Sequence, residues 1–168
     1  MARTLFDHQK QEGVVMGFEY ITPFVDSTQS VIESLISSTV KRSAIILKDS
    51  LDTNGISATF YLSGSIEGRI VLDIEPELAK KIAGFMNGMR FDQLDNLAVD
   101  TICELVNIIL RKTVLILNSR GFRLKVSPPY YFIGEKICSG LESICISLIT
   151  KWGNVRILAA VNEKKGFN

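Results

Sequence analysis

The chain has 168 residues, of which 46% are apolar, and its 19 Lys and Arg against 18 Asp and Glu give a net charge of +1. This length and composition suit one domain with a single core. Because no basic run is interleaved with aromatic residues, we expect no nucleic-acid partner. No apolar run reaches the ~20 residues that span a bilayer, and the N-terminal stretch lacks a contiguous apolar signal core. We therefore expect a cytoplasmic protein without a membrane partner.

Cysteine and histidine contents narrow the possible chemistry. Cys103, Cys138 and Cys145 form no Cys-x-x-Cys pair, which favours reduced thiols over a disulfide framework or a zinc site. The single histidine, His8, lies in a polar stretch, which argues against a catalytic triad or a His-ligated metal. We therefore expect no cofactor and no metal in this chain.

The predicted elements begin after an N-terminal extension. Residues 1–17 have no clear hydrophobic period and need not be ordered, so we predict a single domain over 18–168. A first helix is predicted from Tyr20 to Thr39, with Pro23 in its opening turn. Alternating apolar residues then predict three antiparallel strands, arranged as a meander: Ser43 to Leu51, Ile56 to Leu62 and Arg69 to Ile74.

Two more helices follow these strands. Glu75 and Pro76 suit a helix N-terminus and Gly88 suits a helix end, which predicts a second helix between them. Apolar residues at helical spacing predict a long amphipathic helix from Leu94 to Arg120. The remaining sequence contains three strand candidates and a weaker fourth, namely Arg123 to Ser127, Glu142 to Ile149, Val155 to Val161 and, with less signal, Tyr130 to Ile133. Separate blocks of strands and helices predict an α+β fold with an antiparallel sheet of about six strands and three main helices.

Three polar residues, Asp100, Glu104 and Asn107, share one face of the long helix. At ~100° per residue, offsets of four and seven place Glu104 and Asn107 within about 40° of Asp100. This stripe is predicted to lie away from the core. A solvated helix face explains such residues as readily as a site does, so the pattern alone leaves both interpretations open.

Several motifs, in order, resemble a known family. They are the turn Gly64-Ser65-Ile66-Glu67-Gly68, the helix end Met86-Asn87-Gly88-Met89, Leu94-Asp95, Asp100-x3-Glu104-x2-Asn107, Ser127-Pro128-Pro129 and Gly134. Together they resemble the CheX-type chemotaxis phosphatases, relatives of CheC and FliY, over roughly 20–161. The resemblance implies a CheC-like fold, a homodimer and a phosphatase for a phosphorylated CheY-like receiver domain.

The same resemblance implies roles for the polar stripe. Asn107 would orient the attacking water, Glu104 would pair with a lysine of the receiver, and Asp100 would have a supporting role. Any Mg²⁺ would belong to the receiver. The first helix lacks a second copy of the motif, because Glu33 is followed at plus three by Ile36 and not by Asn.

One departure from the family pattern keeps other functions open. Family members commonly have small residues after the Asn, whereas this chain has Leu110 and Arg111 nearby. The first alternative is a non-catalytic module of the same fold that binds a receiver or a flagellar switch component. The second is a structural dimerisation domain without a receiver partner.

Overall fold

A computed structural model describes residues 3–4, 12–53, 55–134 and 136–163, with side chains described for 18–53, 55–134 and 143–162. Most of the predicted N-terminal extension, His8 included, lies outside the described residues. Within that extension the structure describes strand β1 (Arg3–Thr4) and the first turns of helix α1.

Three helices are present in the described part of the chain. They are α1 (Glu12–Ile36), α2 (Pro76–Asn87) and α3 (Asn96–Ser119). Both α2 and α3 lie where the sequence predicts them. Helix α1 instead begins at Glu12, well before the predicted Tyr20, because Gly13 and Gly17 weaken the helical pattern of its first turns.

The described strands form one antiparallel sheet of nine strands. After β1 they are β2 (Lys41–Arg42), β3 (Ile46–Asp52), β4 (Ile56–Gly64), β5 (Ile66–Ile74), β6 (Leu124–Val126), β7 (Tyr130–Ile133), β8 (Lys136–Thr150) and β9 (Gly153–Glu163). Their order is β1-β3-β8-β9-β5-β4-β6, with β2 beside β8 and β7 beside β4. The α+β prediction is therefore confirmed, and the additional strands are short.

The predicted three-stranded meander is wrong in its first strand. Strands β4 and β5 do form a hairpin, with Ile56 opposite Ile74 and Leu62 opposite Gly68. Strand β3 pairs instead with β8, and β8, β9 and β5 separate it from β4. Alternation along a strand indicates which side chains share a face, but it carries no information on the neighbouring strand.

The main core lies between one face of the sheet and the helices. Phe24 from α1, Phe60 from β4, Leu105 from α3 and Ile157 from β9 are at most 1% exposed and belong to one cluster. Because α3 contacts α1, α2 and β4, its apolar face is covered along most of its length. The opposite face of α3 therefore becomes the exposed face that carries the polar stripe.

Candidate functional site

Helix α3 has clear local reasons to begin and end where it does. Asp95 is its N-cap, and the Asp95 carboxylate accepts a hydrogen bond from the backbone N–H of Ala98 at 2.9 Å. After Ser119 the chain turns at Gly121, whose φ of 90° is unfavourable for residues with a Cβ. Between these ends one face is buried, which fixes the direction of the opposite face.

The three polar residues of the stripe do lie away from the core. Asp100 and Glu104 are exposed, and Asn107 is half-buried. Between them on the helix, Ile102, Leu105 and Val106 are at most 1% exposed. The predicted orientation of the stripe is therefore confirmed.

Glu104 and Asn107 line the same surface groove, about 650 Å³ in volume, between α3 and the segment that follows β6. The remaining lining residues are mostly apolar: Leu110, Arg111, Val114, Leu115, Val126, Ser127, Pro128 and Pro129. The structure thus brings the polar motif of α3 together with the Ser127-Pro128-Pro129 motif. Asp100, one turn before Glu104, is not part of this lining.

The two groove residues differ in their hydrogen bonding. Among the residues with described side chains, the Asn107 carboxamide has no hydrogen-bond partner, so both its donor and its acceptor are available. The Glu104 carboxylate is partly engaged, because its Oε1 lies 2.9 Å from Nη2 of Arg111. Both side chains of this ion pair are well exposed, at 55% for Glu104 and 69% for Arg111.

Polar contacts also hold the motif-bearing turns of α3 against neighbouring elements. Asn87, at the end of α2, donates to the Thr101 hydroxyl at 2.8 Å and to the backbone carbonyl of Ala83 at 2.9 Å. The Tyr131 hydroxyl, on β7, donates to the backbone carbonyl of Cys103 at 3.2 Å. The sequence pattern marked Asn87 only as part of a helix end and Tyr131 only as part of a weak strand candidate, so it missed both tethers.

Burial changes the acidity of two groups beside the stripe. Desolvation is the main reason that the pKa of the Tyr131 hydroxyl is well above its usual range. Desolvation likewise raises the pKa of the Cys103 thiol. Both groups therefore remain protonated near neutral pH, so Tyr131 stays a hydrogen-bond donor and Cys103 is a poor nucleophile.

Glu33 on the first helix, which corresponds to Glu104 on α3, is hydrogen-bonded within its own chain. Its Oε1 accepts hydrogen bonds from the Gln29 carboxamide at 2.9 Å and from the Val40 backbone N–H at 3.1 Å. The bond from Gln29, followed by that from Val40, lowers the pKa of Glu33. Ile36, where a second motif would need Asn, is 3% exposed in the core. Glu33 therefore holds the chain that follows α1.

Among the described residues, no three His, Cys, Asp or Glu side chains come close enough together to hold a metal ion. No helix in the described part of the chain is long and apolar enough to cross a membrane.

Solved structures of CheC-like and CheX proteins share this fold. A CheC-like superfamily protein from Shewanella sp. PV-4 superposes with a TM-score of 0.77 at 22% identity, over 86% of this chain and 97% of that chain. The CheX-CheY-BeF3-Mg²⁺ complex from Borrelia burgdorferi contains a chain with a TM-score of 0.68 at 25% identity, over 86% of this chain and 98% of that one.

Sequence comparison identifies the family. The profile of chemotaxis phosphatase CheX matches residues 56–148, which include α2, α3 and the Pro-Pro segment. The chain belongs to this CheX family. The CheY-P phosphatase CheX of Thermotoga maritima is 32% identical over 77 residues, 45% of this chain and 50% of the relative, so the match spans half the length of that protein.

Proposed function

We propose that this protein is a cytoplasmic phosphatase that accelerates hydrolysis of the aspartyl phosphate on a CheY-like receiver domain in chemotaxis signalling. The observation that carries the proposal is that Asn107 and Glu104 line one open groove and that the Asn107 carboxamide has no hydrogen-bond partner among the described residues. Membership of the CheX family supports it, as does the solved CheX relative in complex with CheY.

The chemistry suits these residue types. An aspartyl phosphate is an activated acyl phosphate, so a catalyst mainly has to hold a water molecule in line with the phosphorus. The Asn107 carboxamide offers a donor and an acceptor from one planar group and carries no charge that an anionic phosphoryl group would repel. Glu104, on the adjacent turn, would pair with a lysine of the receiver and fix the docking position. Asp100 would support the interface from outside the groove, and we assign Mg²⁺ to the receiver.

Phosphate release from a phosphorylated receiver, measured with and without this protein, tests the proposal. Acceleration that saturates with protein concentration is the expected result. An unchanged rate in the presence of a stoichiometric complex would contradict it and would support a non-catalytic module that binds a receiver or a flagellar switch component.

The ion pair of Glu104 with Arg111 is the observation that favours this second candidate, since it occupies one oxygen of the acid. Failure to bind any receiver would favour a structural dimerisation domain.

We also propose that the protein is a homodimer that associates through a sheet edge. Among the described strands β7 pairs only with β4, so within the described residues the other edge of β7 is unpaired. Tyr130 and Ile133 on this strand are 68% and 53% exposed. Pairing of such an edge with a second copy satisfies the backbone groups and covers these side chains.

A further inference from the structure

The ion pair between Glu104 and Arg111 is the feature of the groove that the proposed chemistry leaves unused. Arg111 follows Glu104 by seven positions, so the two side chains reach along the same helix face. Nη2 of Arg111 donates to Oε1 of Glu104 at 2.9 Å. Oε2 of Glu104 has no hydrogen-bond partner among the described side chains. A carboxylate can accept bonds at both oxygens, so Arg111 leaves half of the acid available.

Among the described residues, the lining of the groove carries few charges. Glu104 and Arg111 are the charged members of the groove lining, and the wall beside Arg111 is apolar, formed by Leu110, Val114 and Leu115. In the free protein both side chains are exposed, and water screens such a pair so that it adds little to the stability of the fold. A partner that covers the apolar wall would remove that water and strengthen every charge interaction in the groove.

We propose, on the basis of the function above, that Arg111 is a positioning residue for Glu104. It holds Oε1, restricts the rotamers of the acid before docking and leaves Oε2 to accept a cationic group of the receiver. Because less side-chain freedom is then lost on docking, the complex gains affinity. Arg111 also adds specificity, since a partner that brings a second cation close to the guanidinium is repelled.

The opposite role for the same contact is masking, in which Arg111 competes with the partner for Glu104. The two roles differ in sign. Removing a positioning residue weakens the complex, whereas removing a mask strengthens it. Affinity for the receiver therefore distinguishes the two roles even if phosphate release is unaffected.

The test compares Arg111→Ala and Arg111→Lys with the parent protein. Binding to a receiver loaded with BeF3 and Mg²⁺ is measured by calorimetry at low and high salt, and KM and kcat are measured for dephosphorylation. We expect Arg111→Ala to bind about threefold to tenfold more weakly at low salt, with a smaller difference at high salt. KM should rise by a larger factor than kcat falls, and Arg111→Lys should restore part of the affinity.

Arg90→Ala is the matched control. Arg90 forms an exposed ion pair with Asp92 at 3.0 Å, with side chains 89% and 80% exposed, and it lies outside the groove. This variant should bind the receiver as the parent does. Thermal unfolding of all variants checks that the fold is unchanged.

The possible outcomes distinguish a failure of the positioning role of Arg111 from a failure of the proposed phosphatase activity. Unchanged or tighter binding by Arg111→Ala overturns the positioning role, while acceleration by the parent would leave the phosphatase proposal standing. Binding by the parent without acceleration overturns the phosphatase proposal, and the affinity comparison still decides the role of Arg111. A parent that binds no receiver overturns both.

Discussion

The hydroxyl group of Tyr131 donates a hydrogen bond to the backbone carbonyl of Cys103, with 3.2 Å between the two oxygens. In an α-helix this carbonyl also accepts from the backbone N–H four residues later, which belongs to Asn107. Strand β7 is therefore attached to the turn of α3 that carries both Glu104 and Asn107. The tether explains how the segment after Pro129 is held beside the polar motif.

Tyr131→Phe should remove this tether while the ring keeps its packing. We expect the free energy of unfolding to fall by about 0.5–1.5 kcal/mol, the usual net value of one hydrogen bond. Chemical denaturation monitored by circular dichroism measures the loss. Tyr130→Phe is the control, because Tyr130 is 68% exposed on the same strand. Equal stabilities of the two variants would contradict a tether at Tyr131.

Asn107→Ala should abolish the stimulated dephosphorylation without unfolding the protein. Loss of the group that orients the water should lower the stimulated rate by about a hundredfold or more. Stability should change little, because the side chain is half-buried and makes no hydrogen bond to the described residues. Phosphate release measures the first effect and thermal unfolding the second.

Asn118→Ala is the matched control for that experiment. Asn118 is exposed near the end of the same helix and outside the groove lining. Its removal should leave the stimulated rate at the parental value. If Asn107→Ala stimulates hydrolysis as well as the parent, the proposed mechanism is wrong.

Gly64→Ala should destabilise the protein more than Gly88→Ala. Gly64 has a φ of 114°, and a Cβ there would lie 2.2 Å from the backbone carbonyl oxygen of Arg123. Gly88 has a φ of 65° at the end of α2, and a Cβ there would meet nothing within 4 Å. Gly88→Ala should lower the free energy of unfolding by about 1 kcal/mol, because of the left-handed backbone alone. Gly64→Ala should lower it by several times that amount, because the added Cβ also clashes with the carbonyl oxygen. Similar midpoints of thermal unfolding would contradict this ranking.

Ile133→Lys should convert the proposed homodimer to a monomer. A lysine on the exposed edge of β7 opposes pairing with a second copy. Light scattering at micromolar concentration should give twice the 18.7 kDa chain mass for the parent and the chain mass for the variant. Ile149→Lys, at an isoleucine 41% exposed on β8, is the control and should remain dimeric. A monomeric parent would remove the dimer proposal.

Local pattern was enough to predict much of this fold. The bounds of α2 follow from Pro76 and Gly88, because helix ends depend on neighbouring residues only. Those of α3 follow, to within two residues, from the helical spacing of its apolar side chains. The outward direction of Asp100, Glu104 and Asn107 follows from the same periodicity. The class, α+β with three helices, follows from the order of these elements.

Contacts between distant residues could not be predicted in this way. The position of β3 beside β8 depends on which strands fit together in the folded sheet. The alternation of apolar and polar residues along a strand does not indicate which strand lies beside it. The tethers from Asn87 to Thr101 and from Tyr131 to Cys103 join residues that are 14 and 28 positions apart. Such bonds exist only after the elements have packed.

The sequence by itself determined which residues could serve as a site, because a helix of known periodicity fixes which side chains share a face. Tertiary structure alone decided what surrounds them. Packing of the segment after β6 beside α3 made a groove in which Glu104 and Asn107 face Pro128 and Pro129. Side-chain conformation then brought Arg111 within 2.9 Å of Glu104, a contact that a spacing of seven residues allows but does not require.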